Sequence, residues 1–264
     1  MKQEKLDLNT INQNNVTAAV AAMQGQIPPG AVMLDKNLLP SRGKFYPETI
    51  YVKKLNTLAI KNLSTITQDN VNNVINNTIQ QCILGIDPHK ILIGDKIWLI
   101  FYLRAHTFND YPFTLRGECP NCKNIAPYQY VLKNLDVTYL DKDIPEEFKL
   151  PNGDVIKVTF PTLSTEAAMN KIKTNDQIIM EINPELLELS SYISNINGRN
   201  NSLLQGYEYL INMPADCFTV FANELSEYVF SAKPYAIFNC KNCETEMKLQ
   251  MAFVPSFFMP NMKK

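Results

Sequence analysis

The sequence predicts an α+β protein: a mixed helical domain with a small β module formed by two distant Cys-x-x-Cys hairpins. Three observations carry this. Apolar residues recur at helical spacing in several segments between Thr67 and Phe230. Strand-like runs flank each Cys-x-x-Cys pair. Hydrophobic residues are 45% of the chain against 19% charged, so a core of ordinary size can be buried.

Met1 to Met23 is polar and then alanine-rich, and Val16–Met23 suits either a short helix or a tail. Gln26-Ile27-Pro28-Pro29-Gly30 reads as a linker. Leu38 to Pro47 holds two prolines and a glycine, which predicts an extended segment with a turn. A strand follows over Thr49–Leu55, where apolar and polar residues alternate, then a short helix over Thr57–Leu63. Val71, Val74, Ile75, Thr78, Ile79, Cys82 and Ile83 place a helix within Thr67–Leu84, and its asparagine-rich outer face leaves packing to hold it. Asp95–His106 is apolar nearly all round and therefore central, with Asp95 as N-cap or first-turn acid. Asn152-Gly153 predicts a two-residue turn joining Glu147–Leu150 to Val155–Phe160. Helices are predicted over Ser164–Lys173, Pro184–Ile196, Ser202–Asn212 and Ala215–Phe230, and strands return over Tyr235–Met251. The resulting organisation is a tail and linker (1–33), a strand and helical domain (34–110), a split β module (111–132 with 235–252), an inserted hairpin and helical region (133–234) and a C-terminal tail (253–264).

Four of the six cysteines form Cys119-Pro120-Asn121-Cys122 and Cys240-Lys241-Asn242-Cys243. A two-residue gap lets both thiolates of a tight turn face one ion, and four thiolates complete the tetrahedral shell of structural zinc. Each pair lies at the tip of a candidate hairpin, as in a zinc ribbon. The 117 residues between Cys122 and Cys240 far exceed the spacing of a compact ribbon. An insertion between the hairpins accounts for them, with the shared ion joining its ends. Redox couples, strained local disulfides and unliganded thiols are the competing readings. Neither pair opens a helix after a strand as a thioredoxin-like motif does. Cys82 and Cys217 fall on apolar helix faces and suit core packing.

Other chemistry is sparse. The net charge is −1, which argues against a protein built to grip phosphates. No export signal is expected, and the longest apolar run, Ile97–Leu103, is too short to cross a membrane. The two histidines are His89, in a turn, and His106, at a helix end where the dipole favours it. No Gly-x-Ser-x-Gly, phosphate-binding loop or His-Glu-x-x-His is present. A four-thiolate zinc has no open position at which to activate water. The expectation is a protein that is not an enzyme and has no small-molecule substrate.

Leu39-Pro40-Ser41-Arg42-Gly43-Lys44-Phe45-Tyr46-Pro47, followed by a strand and Leu55-Asn56-Thr57, resembles the N-terminal signature of baseplate hub and hub-assembly proteins of T-even-type contractile-tailed phages. Ile93-Gly94-Asp95-Lys96-Ile97-Trp98-Leu99-Ile100-Phe101-Tyr102-Leu103-Arg104, running through Tyr111-Pro112-Phe113-Thr114 into the first cysteine pair, resembles the central helix of that family. The resemblance spans roughly residues 38–123. It implies a virion component of the tail baseplate, or a factor assembling its hub, made in the host cytoplasm and partnered by other baseplate and tail proteins. The pre-extended Leu39–Pro47 suits docking, with Arg42, Phe45 and Tyr46 as partner-binding anchors and Phe257 and Phe258 as a second set. The competing reading packs that segment on its own domain. A functional alternative is a zinc-ribbon module that binds nucleic acid, with Arg116, Lys123 and Lys241 on phosphate; the neighbouring Glu118, Glu244 and Glu246 count against it.

Overall fold

The computed structural model describes residues 27–67, 69–174 and 182–259. The Val16–Met23 helix expected from the sequence lies outside them. The described chain is α+β. Strands β1 (Ala31–Met33) and β2 (Tyr51–Lys53) pair antiparallel. Helix α1 (Thr57–Leu63) starts at Asn56, whose side chain accepts from the Ala59 amide at 2.8 Å. Helix α2 (Val71–Cys82) buries Ile75, Thr78, Ile79 and Cys82, the face its periodicity predicts, and runs into β3 (Ile83–Leu84), which completes a three-stranded sheet beside β2.

Helix α3 (Ile93–Phe108) is the central element. Leu99, Ile100, Phe101 and Leu103 are buried in the main core, and so are the charged Asp95, Lys96 and Arg104. Asp95 is the first-turn acid and not the cap, a position that Leu92 holds with no side-chain hydrogen bond. The Asp95 carboxylate instead accepts from the Ser41 amide at 2.8 Å and the Tyr46 hydroxyl at 2.7 Å. One residue on, Lys96 donates to both carboxylate oxygens of Glu166 at 2.8 and 2.9 Å and to Asn72 at 3.0 Å. A buried lysine of this kind is tolerable only because it is paired and hydrogen-bonded.

After α3 come β4 (Phe113–Glu118) and β5 (Ile125–Tyr130), an antiparallel hairpin. Strand β6 (Val137–Thr138) leads into the inserted region. There β7 (Phe148–Lys149) pairs with β8 (Val155–Val158), but the connection is wider than the predicted two-residue turn. Leu150 N donates to Asp154 O, Gly153 N donates to Leu150 O, and Asn152 lacks the positive φ a primed turn requires. Helix α4 (Leu163–Lys173) begins with a Thr162–Thr165 capping box, and α5 (Pro184–Ser190) is capped by Asn183.

The helix predicted to run to Ile196 stops at Ser190. Ile193–Ile196 is strand β9, alternately buried, which pairs with β8 and with β10 (Arg199–Asn200). The turn between β9 and β10 is Asn197-Gly198, with φ of 50° and 80° at both central positions. This second Asn-Gly pair forms the tight hairpin that the sequence reading assigned to Asn152-Gly153. Helices α6 (Leu203–Ile211) and α7 (Ala215–Ser226) follow, the latter ending four residues before the predicted Phe230. Phe148, Ile156, Phe221 and Leu225 make a second core here. Strand β11 (Ser231–Ala232) returns to pair antiparallel with β6. Hairpin β12 (Tyr235–Asn239) and β13 (Glu246–Gln250) and the single turn α8 (Pro255–Phe258) complete the described chain.

Candidate metal centre

The two hairpins face each other. Along β4, β5 and β13 burial alternates strictly until Gly117, so Phe113, Leu115, Tyr128 and Tyr130 on one side meet Ala236, Met247 and Leu249 on the other. Tyr128 and Phe238 pack at 4.8 Å between ring centroids. The tips therefore arrive together, and each is built the same way. Lys123 N donates to Cys119 O at 3.0 Å and Glu244 N to Cys240 O at 2.9 Å. Cys119 N donates to Asn124 O and Cys240 N to Thr245 O, both at 2.9 Å. Lys123 and Glu244, each following the second cysteine, take left-handed φ of 58° and 59°. Two copies of one turn, far apart in sequence, present four sulfurs to a common point.

The sulfurs of Cys119, Cys122, Cys240 and Cys243 all lie within 4.8 Å of one another. The closest contacts cross between hairpins: Cys119 to Cys243 and Cys122 to Cys240, each 3.6 Å. A tetrahedral zinc with ~2.3 Å bonds to sulfur holds its thiolates ~3.8 Å apart, so the donor set fits that ion in chemistry and size. Hydrogen bonds to sulfur support the thiolate form. Asn242 N donates to Cys240 Sγ at 3.4 Å, and amide hydrogen bonds from Asn242 and Cys243 lower the Cys240 pKa. The hydroxyl and amide of Thr245 bring Cys243 down to about 6. Cys119 remains up at about 11: amide hydrogen bonds from Cys122 and Asn121 pull it down, but burial and the thiols of Cys243 and Cys240 outweigh them. Asn121 Nδ2 spans the tips, 3.3 Å from Thr245 Oγ1. Neither Thr245 nor Asn121 was singled out by the sequence reading; their signal was adjacency to the cysteines. Cys82 and Cys217 are buried in the cores, as their helix faces predict.

The candidate docking residues fare differently. Tyr46 is buried, with its hydroxyl between Asp95 and the Leu92 amide, which donates to it at 2.9 Å. Phe257 and Phe258 are core residues. Phe257 packs on Phe101 at 5.4 Å and Phe113 at 4.9 Å, and its carbonyl accepts from Arg104. These three side chains are therefore not surface anchors in this chain; α8 folds back on α3 because burying two phenylalanines outweighs leaving them in water. Arg42 is half-buried, pairing with Asp141 at 2.9 Å and lying 3.7 Å above the Tyr139 ring. Lys44 reaches Asp143 at 3.1 Å, and Leu140 N donates to Pro40 O. Residues 40–46 thus clasp residues 139–143 of the same chain. Phe45 stays 40% exposed while resting on Phe160.

Of the basic residues near the tips, Arg116 is exposed, and the two lysines are engaged within the chain. Lys123 pairs with Glu118 at 3.5 Å, and Lys241 Nζ donates to Pro127 O at 2.6 Å. His106 stacks on Tyr102 in the last turn of α3, its pKa lowered by burial and by Lys54.

Fold and site together define a mixed α+β protein with four clustered thiols at two hairpin tips. A family model, T4 bacteriophage base plate protein, matches residues 35–196, more than half of the chain. The chain belongs to that family, whose members have a structural role in the phage tail baseplate. The match includes the first cysteine pair and ends before the second. No curated protein and no solved structure matches the chain.

Proposed function

We propose that this baseplate protein is a structural subunit or assembly factor of the hub of a contractile tail, and that one zinc ion held by Cys119, Cys122, Cys240 and Cys243 fastens its fold. The observation that carries the zinc is the shared sulfur cluster at two matching turns. Such an ion has a mechanical task. The region between the hairpins begins at β6 and ends at β11, whose pairing spans only two residues each. A tetrathiolate ion adds a second, far stronger closure of that long loop, because binding free energy that exists only in the folded state is folding free energy. The ion is coordinatively closed and so organises the hairpins without taking part in a reaction.

The hub assignment rests on the family and on the Leu39–Pro47 signature. Arg42 and Phe45 keep accessible surface there and are the proposed partner-facing residues. Mass spectrometry of purified tails, combined with cross-linking, tests the role. A hub subunit is recovered in mature particles cross-linked to hub neighbours. An assembly factor is recovered only with hub intermediates. Recovery with neither, or with outer baseplate proteins alone, overturns the hub assignment.

A further inference from the structure

A groove of about 440 Å³ lies between α3 and residues 132–139, and Leu38 also lines it. Trp98, Tyr102 and Ala105 face it from α3, because residues three and four apart share one side of a helix. The Trp98 and Tyr102 rings stack at 4.9 Å between centroids, inclined by 15°, and His106 continues the stack at 5.9 Å. Trp98 and Tyr102 pack on the main core yet stay partly open, and Leu38 is 45% exposed. Two lining side chains are charged. Asp110 has both oxygens on the Leu132 and Lys133 amides, and Lys133 is exposed. An apolar cover suits such a surface, since taking it out of water stabilises in proportion to its area.

The chain carries a candidate cover close to this groove. The described residues begin at Ile27, and residues 1–26 lie outside them. Ala31, four positions on, pairs with Lys53. Two positions past Lys53, the Leu55 amide donates to Thr107 Oγ1 at 2.9 Å, in the last turn of α3. The chain therefore enters the fold near the C-terminal end of α3, and by Leu38 it has reached the groove lining. Val16–Met23 ends four residues before Ile27, carries no charge, and repeats apolar residues at positions 16, 19, 20 and 23. Four extended residues span about 13 Å, enough to turn from Ile27 toward α3. As a helix, eight residues would be about 12 Å long at 1.5 Å each, the rise of α3 from Trp98 to His106. A helix this short does not stand alone in water and needs a wall.

We infer that the groove is the seat of the chain's own N-terminal segment, with Val16–Met23 laid across the stacked rings of α3. Alanine lets a backbone approach flat rings closely, and Val16, Val20 and Met23 supply the larger apolar contacts. The short tether holds the segment at an effective concentration in the millimolar range, so weak contacts suffice. This inference rests neither on the zinc nor on the hub assignment.

Trp98 is the one tryptophan of the chain and so reports on the groove directly. The test compares the full-length, metal-loaded protein with the full-length double variant Val16→Asp, Val20→Asp and with a variant lacking residues 1–26. In the parent, Trp98 emission should lie to the blue and resist acrylamide. In both variants it should move to the red and be quenched at least about twice as readily, as a ring does that trades apolar cover for water. Circular dichroism and zinc content should stay as in the parent, which separates failure here from failure of the metal site. Residues 1–26 added as a free peptide should restore shielding to the truncated protein at concentrations on the order of 1 mM. A photo-cross-linking amino acid at position 20 of the full chain, which needs no loss of the segment, should capture residues 98–106 or 132–139. Equal quenching of parent and variants, a peptide without effect, or cross-links confined elsewhere overturns the proposal. Shielding that the parent loses on dilution also overturns it, assigning the groove to a second copy.

Discussion

Gly117 on β4 and Leu249 on β13 approach so closely that a methyl group on Gly117 would sit 2.1 Å from Leu249 Cδ2. The two hairpins meet at this point, one layer below the sulfurs. Gly117→Ala should therefore push the tips apart, destabilising by about 1–3 kcal/mol. Thermal melting checks this, and Leu249→Ala in the same chain should recover part of the loss by making room. An alanine variant that melts like the parent means the hairpins do not pack as described.

Metal removal should be felt by the whole fold. Purified protein should carry one zinc per chain, and Cys119→Ser or Cys240→Ser should each abolish it. Chelation should lower the melting temperature by on the order of 10 °C, since several kcal/mol of folding free energy go with the ion. Full zinc occupancy in Cys240→Ser would show that the two turns do not share a site.

Tyr46 and Asp95 separate burial from docking. Tyr46→Phe removes a donor from a buried carboxylate and an acceptor from the Leu92 amide, a loss of about 1–3 kcal/mol. Phe45→Ala, at a half-open surface, should cost far less stability and instead impair incorporation into tails. If Tyr46→Phe melts normally, the hydroxyl is not the link between α3 and the Leu39–Pro47 segment.

Burial raises the Asp95 pKa above its ordinary value of 3.8, against hydrogen bonds from Ser41 and Tyr46 that lower it. The folded state thus holds this proton more tightly than the unfolded chain. Its contribution to stability is fully present below the ordinary value and lost as pH rises through the raised one. The stability difference between the parent and Asp95→Asn, followed by denaturant titration across the acidic range, should fall with rising pH in that window. A flat difference means Asp95 titrates normally.

Lys96 and Glu166 join α3 to α4 in a buried pair, with side chains 4% and 14% exposed. Glu166→Gln should cost about 3–5 kcal/mol, because it strands a buried ammonium. Lys96→Met with Glu166→Leu should cost much less. Denaturant melts of both variants distinguish a strained pair from a stabilising one. If the single and double variants are equally destabilised, the penalty lies in packing volume and not in charge.

Local physics made part of this protein readable from sequence. The periodicity of α2 is set by residues three and four apart, so its buried face could be marked in advance. A Cys-x-x-Cys turn is equally local, and two of them sufficed to nominate the four clustered thiols although 117 residues intervene. Strand-forming runs beside each pair completed the hairpins. What the sequence could not decide depends on which distant surfaces meet. Phe257 and Phe258 look like exposed terminal aromatics until α3 supplies a wall against which to bury them. Tyr46 looks like an anchor until Asp95, 49 positions later, accepts a hydrogen bond from its hydroxyl. Ile193–Ile196 continues a helical pattern, but pairing with β8 and the Asn197-Gly198 turn make it a strand. Both Asn-Gly pairs lie between antiparallel strands, but only Asn197-Gly198 takes positive φ at both residues and closes the tight turn. Asp95 reads as a helix-start acid, yet its carboxylate also fastens residues 41–46, and the neighbouring Lys96 fastens α4. Short-range propensities are fixed by neighbours along the chain. Burial, ion pairing and strand register are fixed by neighbours across space, and only the tertiary structure supplies those.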